Sequence, residues 1–150
     1  EWTARISEAG KKRMTLVVER HTRRLETLPD LTLAFAPVKR AQTDWLVEKA
    51  TELGVARLQP VITARTIVER VRSDRLETIA IEAAEQCLRT TVPLIAEPIP
   101  LMRFLATRDP ARRLFFADES GGTPAVNAFV AGPADLLTGP EGGFTEEERS

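Results

Sequence analysis

The stretch LLTGPEGGFTEEE, residues 136–148, sets the end of an apolar run directly against a glycine-rich turn and an acidic helix start. Leu136 and Leu137 read as the end of a buried strand. Thr145, followed three residues later by Glu148, has the form of a capping box, in which two side chains satisfy the first free amides of a helix. Between them, Gly139-Pro140-Glu141-Gly142-Gly143 reverses the chain with almost no side chains in the way. In open α/β sheets ligands bind at the carboxyl ends of strands, and this loop takes that place. It lacks the Lys-Ser/Thr of a phosphate-cradling loop and the G-x-G-x-x-G spacing of a dinucleotide fold, and Glu141 would repel phosphate. A ligand with hydroxyls, amide donors or positive charge suits it better. A tight strand-to-helix turn with no ligand is the plainer alternative.

Working back along the chain, RLFFA (113–117) and ADLLT (134–138) read as short strands with a Gly/Pro-containing stretch between them. DRLETIAIEAAEQCLR (74–89) is the clearest helix. Asp74 and Glu77 resemble a capping box, and Leu76, Ile79, Ala80, Ala83 and Cys87 form its apolar stripe. VARLQPVI (55–62) predicts a strand whose Pro60 costs a ladder bond and points to an edge or a bulge. TDWLVEKATELG (43–54) predicts a helix with Thr43 as N-cap and Gly54 in the left-handed position that ends helices. LTLAFAPV (31–38) is a mostly apolar strand, as in a sheet covered on both faces. Strand and helix alternate from residue 31 onward, which predicts an α/β fold with a mainly parallel sheet. Residues 2–7 and 14–19 alternate apolar and polar around Gly10-Lys11-Lys12 and predict a separate β-hairpin. A charged linker spans 20–30.

The 150 residues are 43% hydrophobic and 29% charged, which suits a soluble globular chain. No apolar run reaches the roughly 18 residues a membrane span requires, and no signal-peptide pattern opens the sequence. One cysteine, Cys87, excludes an internal disulfide, and with a single histidine it leaves no zinc-ligand set. The expectation is a cytoplasmic protein with no metal and no membrane contact. The net charge of −1 conceals a basic N-terminal quarter, where residues 1–40 carry nine Lys/Arg against five acids. That excess is either a nucleic-acid footprint or a solvated strand surface.

Three other groups can carry chemistry. Glu82, Glu85, Gln86 and Arg89 share the polar face of the 74–89 helix; Glu85 and Arg89 are an i,i+4 pair that usually decorates solvated helix surface, while Gln86 has the donors and acceptors to read a base edge. Lys49, between Glu48 and Glu52, reads as helix surface. His21 has no second histidine and no nucleophile elbow beside it.

Taken in order, TDWLVEKATELGV, IAIEAAEQCLRTTVP and LLTGPEGGFTEEE resemble three signatures of the RsmE-type methyltransferases, enzymes that methylate N3 of a uridine in 16S ribosomal RNA. The match covers about residues 31–149. It implies a SPOUT-type α/β domain over 28–150 whose C-terminal part is tied in a trefoil knot, an exception to the rarity of knots. Residues 1–27 look like the tail of the family's PUA-like RNA-binding β-barrel. The resemblance further implies a homodimer that acts on 16S rRNA of the 30S subunit with S-adenosyl-L-methionine as cofactor. Carried over, Leu137, Gly139, Glu141, Gly142 and Gly143 would hold that cofactor, with Phe116 and Ala117 beside it. Bare glycine amides allow close approach, and a carboxylate suits ribose hydroxyls or a sulfonium. Arg89, with Glu85 or Gln86, is the candidate catalytic set acting on the uracil. Lys11, Lys12 and Arg13 are the candidate RNA contacts. The family's closing L-G-x-R-I-L-R-type loop falls past Ser150, so the end of the knot is expected to be missing. Two other functions stay open: a SPOUT methyltransferase acting on tRNA, and a ribosome-binding or assembly module without turnover.

Overall fold

A computed structural model of the chain describes residues 1–68, 70–118 and 121–150. Strands β1 (Trp2–Ala9) and β2 (Met14–His21) pair antiparallel as the expected hairpin. The Gly10 amide closes its turn on the Arg13 carbonyl at 2.8 Å. Every residue of both strands is exposed, including Trp2, Ile6, Leu16 and Val18. His21, at the end of β2, meets the Trp2 ring edge-on at 4.8 Å.

The remaining elements run β3 (Leu31–Phe35), α1 (Arg40–Glu52), β4 (Arg57–Ile62), α2 (Ser73–Gln86), β5 (Leu94–Ile95), β6 (Ile99–Pro100), α3 (Leu101–Thr107), β7 (Arg113–Ala117), α4 (Ala125–Ala128), β8 (Ala134–Thr138) and α5 (Glu146–Arg149). The sheet order is β5-β4-β3-β8-β7, with β6 also on β4, and every pairing is parallel. The last strand, β8, is thus inserted between β3 and β7, with Ala34 and Phe116 flanking Leu137. Alternate residues of the strands feed two cores. Leu33, Phe35 and Leu58 pack with Val47 and Ala50 of α1 and Leu76 and Ala80 of α2. Ala34, Val61 and Leu137 pack on the other face with Leu101 and Phe104 of α3 and with Phe144.

Four local expectations are corrected. α1 begins at Arg40, and Lys39, not Thr43, is its N-cap. Thr43 lies inside the first turn, where its amide bonds the Lys39 carbonyl; its hydroxyl both donates to the Val38 carbonyl and accepts from the Val38 amide. Asp74 is not a cap either: α2 starts at Ser73 after an N-cap, Arg72, that offers no capping side chain, and the Asp74 carboxylate takes the Arg72 guanidinium at 2.6 Å. α2 stops at Gln86 because Leu88 turns left-handed at φ 58, which leaves Cys87 exposed and outside the apolar stripe. Pro60 sits in an interior strand. The Leu58 carbonyl accepts from Ala96 on the β5 side, so by alternation Pro60 faces the gap where β5 has ended and β6 has yet to begin. No ladder bond is lost there. Gly54, at φ +82, ends α1 as expected.

The start of β8 is fixed by charge. Asp135, with 4% of its side chain exposed, accepts from Arg108 Nε at 3.1 Å and Arg112 Nε at 2.8 Å. Arg112 also reaches Asp30 and the Ala134 carbonyl, tying the entry to β3 and the entry to β8 together. Asp135→Ala is expected to destabilise the fold by about 3–5 kcal/mol, because removing one partner of a buried ion pair leaves the other uncompensated. Urea unfolding checks it, and a loss under about 1 kcal/mol would show that water replaces the carboxylate.

Candidate functional site

Strand β8 delivers the chain to the carboxyl edge of the sheet at Thr138, and residues 139–143 turn it back. The Gly143 amide donates to the Pro140 carbonyl at 2.9 Å, and Gly143 itself adopts φ +66, a left-handed conformation that favours glycine. At Gly139 the demand is space: a Cβ would lie 2.6 Å from the Phe144 ring. Phe144 is buried beneath the turn and takes the Phe116 ring edge-on at 4.7 Å. Gly142 is different. Its φ is not left-handed, and a Cβ there would make ordinary contact with Arg65 at 3.5 Å. The turn therefore does not require glycine at 142 for its own geometry.

Two clefts meet at this turn. One, of roughly 780 Å³, is walled by Phe116, Ala117, Phe129, Thr138, Gly139 and Pro140. The other, of roughly 380 Å³, is walled by Pro37, Val38, Arg65, Ile67, Glu141 and Gly142. Phe116, Ala117, Gly139, Glu141 and Gly142 thus line open space at one edge of the sheet. Leu137 is 2% exposed and its side chain belongs to the core, so only its backbone can serve a ligand. Nothing in the sequence marks Arg65, yet its Nη1 donates to the Gly142 carbonyl at 2.7 Å.

The capping box at the exit of the turn is present in full. The Thr145 amide donates to Glu148 at 2.9 Å and the Glu148 amide to the Thr145 hydroxyl at 3.3 Å. The second Glu148 oxygen accepts from the Ala64 amide at 2.8 Å, which stitches α5 to the segment that carries Arg65. Burial pushes the Glu148 carboxyl up, but hydrogen bonds from the Thr145 and Ala64 amides, with the Arg65 charge, outweigh it and hold the group below its ordinary 4.5.

The α2 end is elsewhere. Parallel strands joined by helices put the C-termini of α1 and α2 at the amino edge of the sheet, opposite the glycine turn. Arg89 is there. Its Nε donates to the Glu52 carbonyl at 3.0 Å, closing the end of α1, and its Nη1 pairs with Glu26 at 2.9 Å. The expected Glu85–Arg89 pair does not form, because the left-handed Leu88 swings Arg89 off the helix. Glu85 and Gln86 are exposed. The same region grips the linker: Arg23 donates to the Leu88 carbonyl, and the Glu26 amide donates to the Thr90 hydroxyl at 2.9 Å. Lys49 pairs with Glu48 and Glu52, each at 2.8 Å, and is pushed up to about 12 by those hydrogen bonds. Lys11, Lys12 and Arg13 are exposed in the hairpin turn. Among the described residues no cluster of three metal-ligating side chains forms, and no helix is long and apolar enough to cross a membrane.

Comparison with known proteins gives a consistent result. Residues 26–150 match the description "RNA methyltransferase domain". The chain is 28% identical over 153 residues to the Ribosomal RNA small subunit methyltransferase E of Rickettsia conorii, covering 99% of this chain and 62% of that protein. A crystal structure of the same-named enzyme from Neisseria gonorrhoeae, bound to S-adenosyl methionine, superposes with a TM-score of 0.86 at 28% identity, covering 99% of this chain and 64% of that one. A Legionella pneumophila protein in complex with the bound cofactor SAM gives 0.85 at 29% identity, with 99% and 64% covered. The chain spans just under two thirds of the length of these relatives.

The pH dependence of the turn follows from Glu148. A carboxyl held below its ordinary value contributes stability that is full above that value, near 4.5, and is lost as the pH falls through the lower, folded one. Glu148→Gln is expected to lower stability at pH 7 and to flatten the acid limb of the stability profile below pH 4.5. Parallel acid limbs in thermal melts of the two proteins would contradict this.

Proposed function

Because the chain belongs to the RNA methyltransferase domain family, we propose that it carries the methyl-transfer domain of an S-adenosylmethionine-dependent enzyme acting on N3 of a uridine in 16S ribosomal RNA. The observation that carries the reading is the turn at 139–143, a stretch of bare backbone at the carboxyl edge of the sheet with a cleft on either side. It suits S-adenosylmethionine by its chemistry. The glycine at 142, which has no side chain and whose carbonyl is held by Arg65, admits a ligand at close range, Glu141 offers a carboxylate to ribose hydroxyls or positive charge, and the apolar wall of Phe116 and Ala117 suits a purine. When bound, the cofactor supplies an electrophilic methyl group on a sulfonium centre. The chain's own task is to hold the ligand against the edge of β7 and β8, exclude water with Phe116 and Phe129, and receive a base lifted out of its stack. The RNA methyltransferases of Rickettsia and Neisseria named above support the RNA target.

The same reading makes the domain SPOUT-type, with the segment after β8 contributing to a trefoil knot, and makes residues 1–27 the tail of a PUA-like barrel whose Lys11-Lys12-Arg13 turn touches RNA. Arg89, Glu85 and Gln86 retain a proposed part in orienting the uracil and stabilising its developing anion. In one copy of the chain they lie at the edge of the sheet opposite the turn. Their part in catalysis therefore requires a homodimer in which the α2 end of one copy meets the turn of the other.

Calorimetry with S-adenosylmethionine tests the first claim. Gly142→Val is expected to keep the melting temperature within a few degrees, since the fold leaves room there, while abolishing cofactor binding. Unchanged affinity in the variant would remove the turn from the cofactor site, and no binding by the parent chain would favour an assembly module. Mapping methylated nucleotides in RNA from a deletion strain identifies the target: loss of a uridine N3 methyl from 16S rRNA is expected, and loss of a tRNA methyl would redirect the assignment. The cross-copy site has its own check. Gln86→Ala and Gly142→Val chains, each inactive alone, are expected to regain partial activity when mixed as heterodimers. A mixture as inactive as its components would exclude that site.

A further inference from the structure

The carboxyl edge of the sheet holds a third cavity, of roughly 280 Å³, between the first turns of α1 and α2. Its walls include Arg40, Arg70, Arg72 and Arg75, with Asp44 the one acid on them among the described residues. Asp44 is already taken by Arg75, and Arg72 by Asp74 on the outer side. Among the described residues Arg40 and Arg70 form no hydrogen bond or ion pair, so two guanidiniums border the cavity without a counter-anion. The helices sharpen the imbalance. The first turn of α1 has no acid and no side-chain cap, and Lys39 and Arg40 stand where a helix favours negative charge. The N-cap of α2, Arg72, likewise offers no capping side chain, and the acid in the first turn of that helix, Asp74, is the partner of Arg72. Two arginines paired to carboxylates and two without a partner, at two helix starts that have no side-chain cap, form a site suited to an anion.

The cavity shares Pro37 and Val38 with the cleft that holds Glu141 and Gly142. We propose that it binds a backbone phosphate of the RNA strand next to the nucleotide being methylated. The proposal rests on the methyltransferase reading above. A guanidinium fork matches a phosphate's oxygens two at a time, and anchoring the backbone one cleft away from the turn would fix the register of the reacting base, as phosphate contacts do. The turn itself repels phosphate through Glu141, so the two neighbouring clefts divide the strand between them: charge to the arginines, base to the turn. This differs from the Lys11-Lys12-Arg13 contact, which lies on the hairpin and would act on RNA away from the reacting site.

The test measures binding of a short uridine-containing single-stranded RNA by the full chain across a salt series, with S-adenosylmethionine affinity measured in parallel. Arg40→Gln/Arg70→Gln is expected to lower the salt slope by about 0.7 for each phosphate left without its guanidinium, which is about fivefold in affinity per phosphate at 0.1 M salt. Cofactor affinity should not change, and the melting temperature should hold or rise as like charges are removed. Arg40→Lys/Arg70→Lys should keep the slope, and the single Arg40→Gln variant gives a readable half-effect if the double variant folds poorly. An unchanged slope in the glutamine variants overturns the proposal. A drop in cofactor affinity at constant RNA slope overturns it too, by assigning the cavity to the cofactor's own carboxylate. Failure of the parent chain to bind cofactor or methylate RNA would instead remove the enzymatic reading while leaving the RNA salt slope measurable.

Discussion

Asp135 carries a carboxylate almost sealed from water near the start of β8, and two guanidiniums reach it from the α3–β7 connection. Burying such charges is expensive unless each is satisfied, and here Arg112 completes the set by bonding Asp30 and the Ala134 carbonyl. A strand held this way cannot slide. A one-residue slip would pull Asp135 from both partners and turn Leu137 out of the core it shares with Ala34 and Phe144. With β8 fixed between β3 and β7, the chain leaves the sheet at Thr138, and the glycine turn has one possible location.

From that location the arrangement of the carboxyl edge follows. Phe144 must return under the turn, and it can do so only because Gly139 presents no Cβ to its ring. Phe116, one strand over, closes on the same ring. Glu148 then ties the helix start to Ala64, bringing Arg65 against the Gly142 carbonyl. These contacts are short-range in space and span many residues of sequence. Together they set the shape of the clefts on either side of the turn.

The two edges of the sheet divide the work. The carboxyl edge has bare backbone, one exposed carboxylate on the turn and a group of arginines between the starts of α1 and α2. At the amino edge, Arg89 binds the last carbonyl of α1 and Glu26, and the linker is clasped to residues 88–90. In a single chain the amino edge couples the exposed hairpin to the sheet. The planar fork of arginine explains why one side chain can hold a helix end and a carboxylate at the same time.

Much of this is legible in the residues alone. The strands at 113–117 and 134–138, the hairpin, Gly54 at the end of α1 and the Thr145–Glu148 box are all readable, because each expresses a local rule: a short apolar run or an apolar–polar alternation of residue types, a left-handed glycine, or a side chain three residues from its amide partner. The three ordered motifs carry the family. Helix starts are less legible. Thr43 and Asp74 have capping chemistry but spend it on Val38 and Arg72, since the strand exits have already chosen where each helix begins. Which glycine the turn needs depends on the tertiary fold: Gly139 on where Phe144 lies, Gly143 on its left-handed φ, and Gly142 on neither. The pairing of Arg89 with Glu26, 63 residues away, and the gathering of Arg40 with Arg70, Arg72 and Arg75 have no local signature. They exist because parallel strands joined by helices bring every strand exit to one edge and every helix end to the other. The sequence by itself determined the elements and the chemistry of the turn; the register of β8, set by a buried carboxylate, decided which residues would stand beside it.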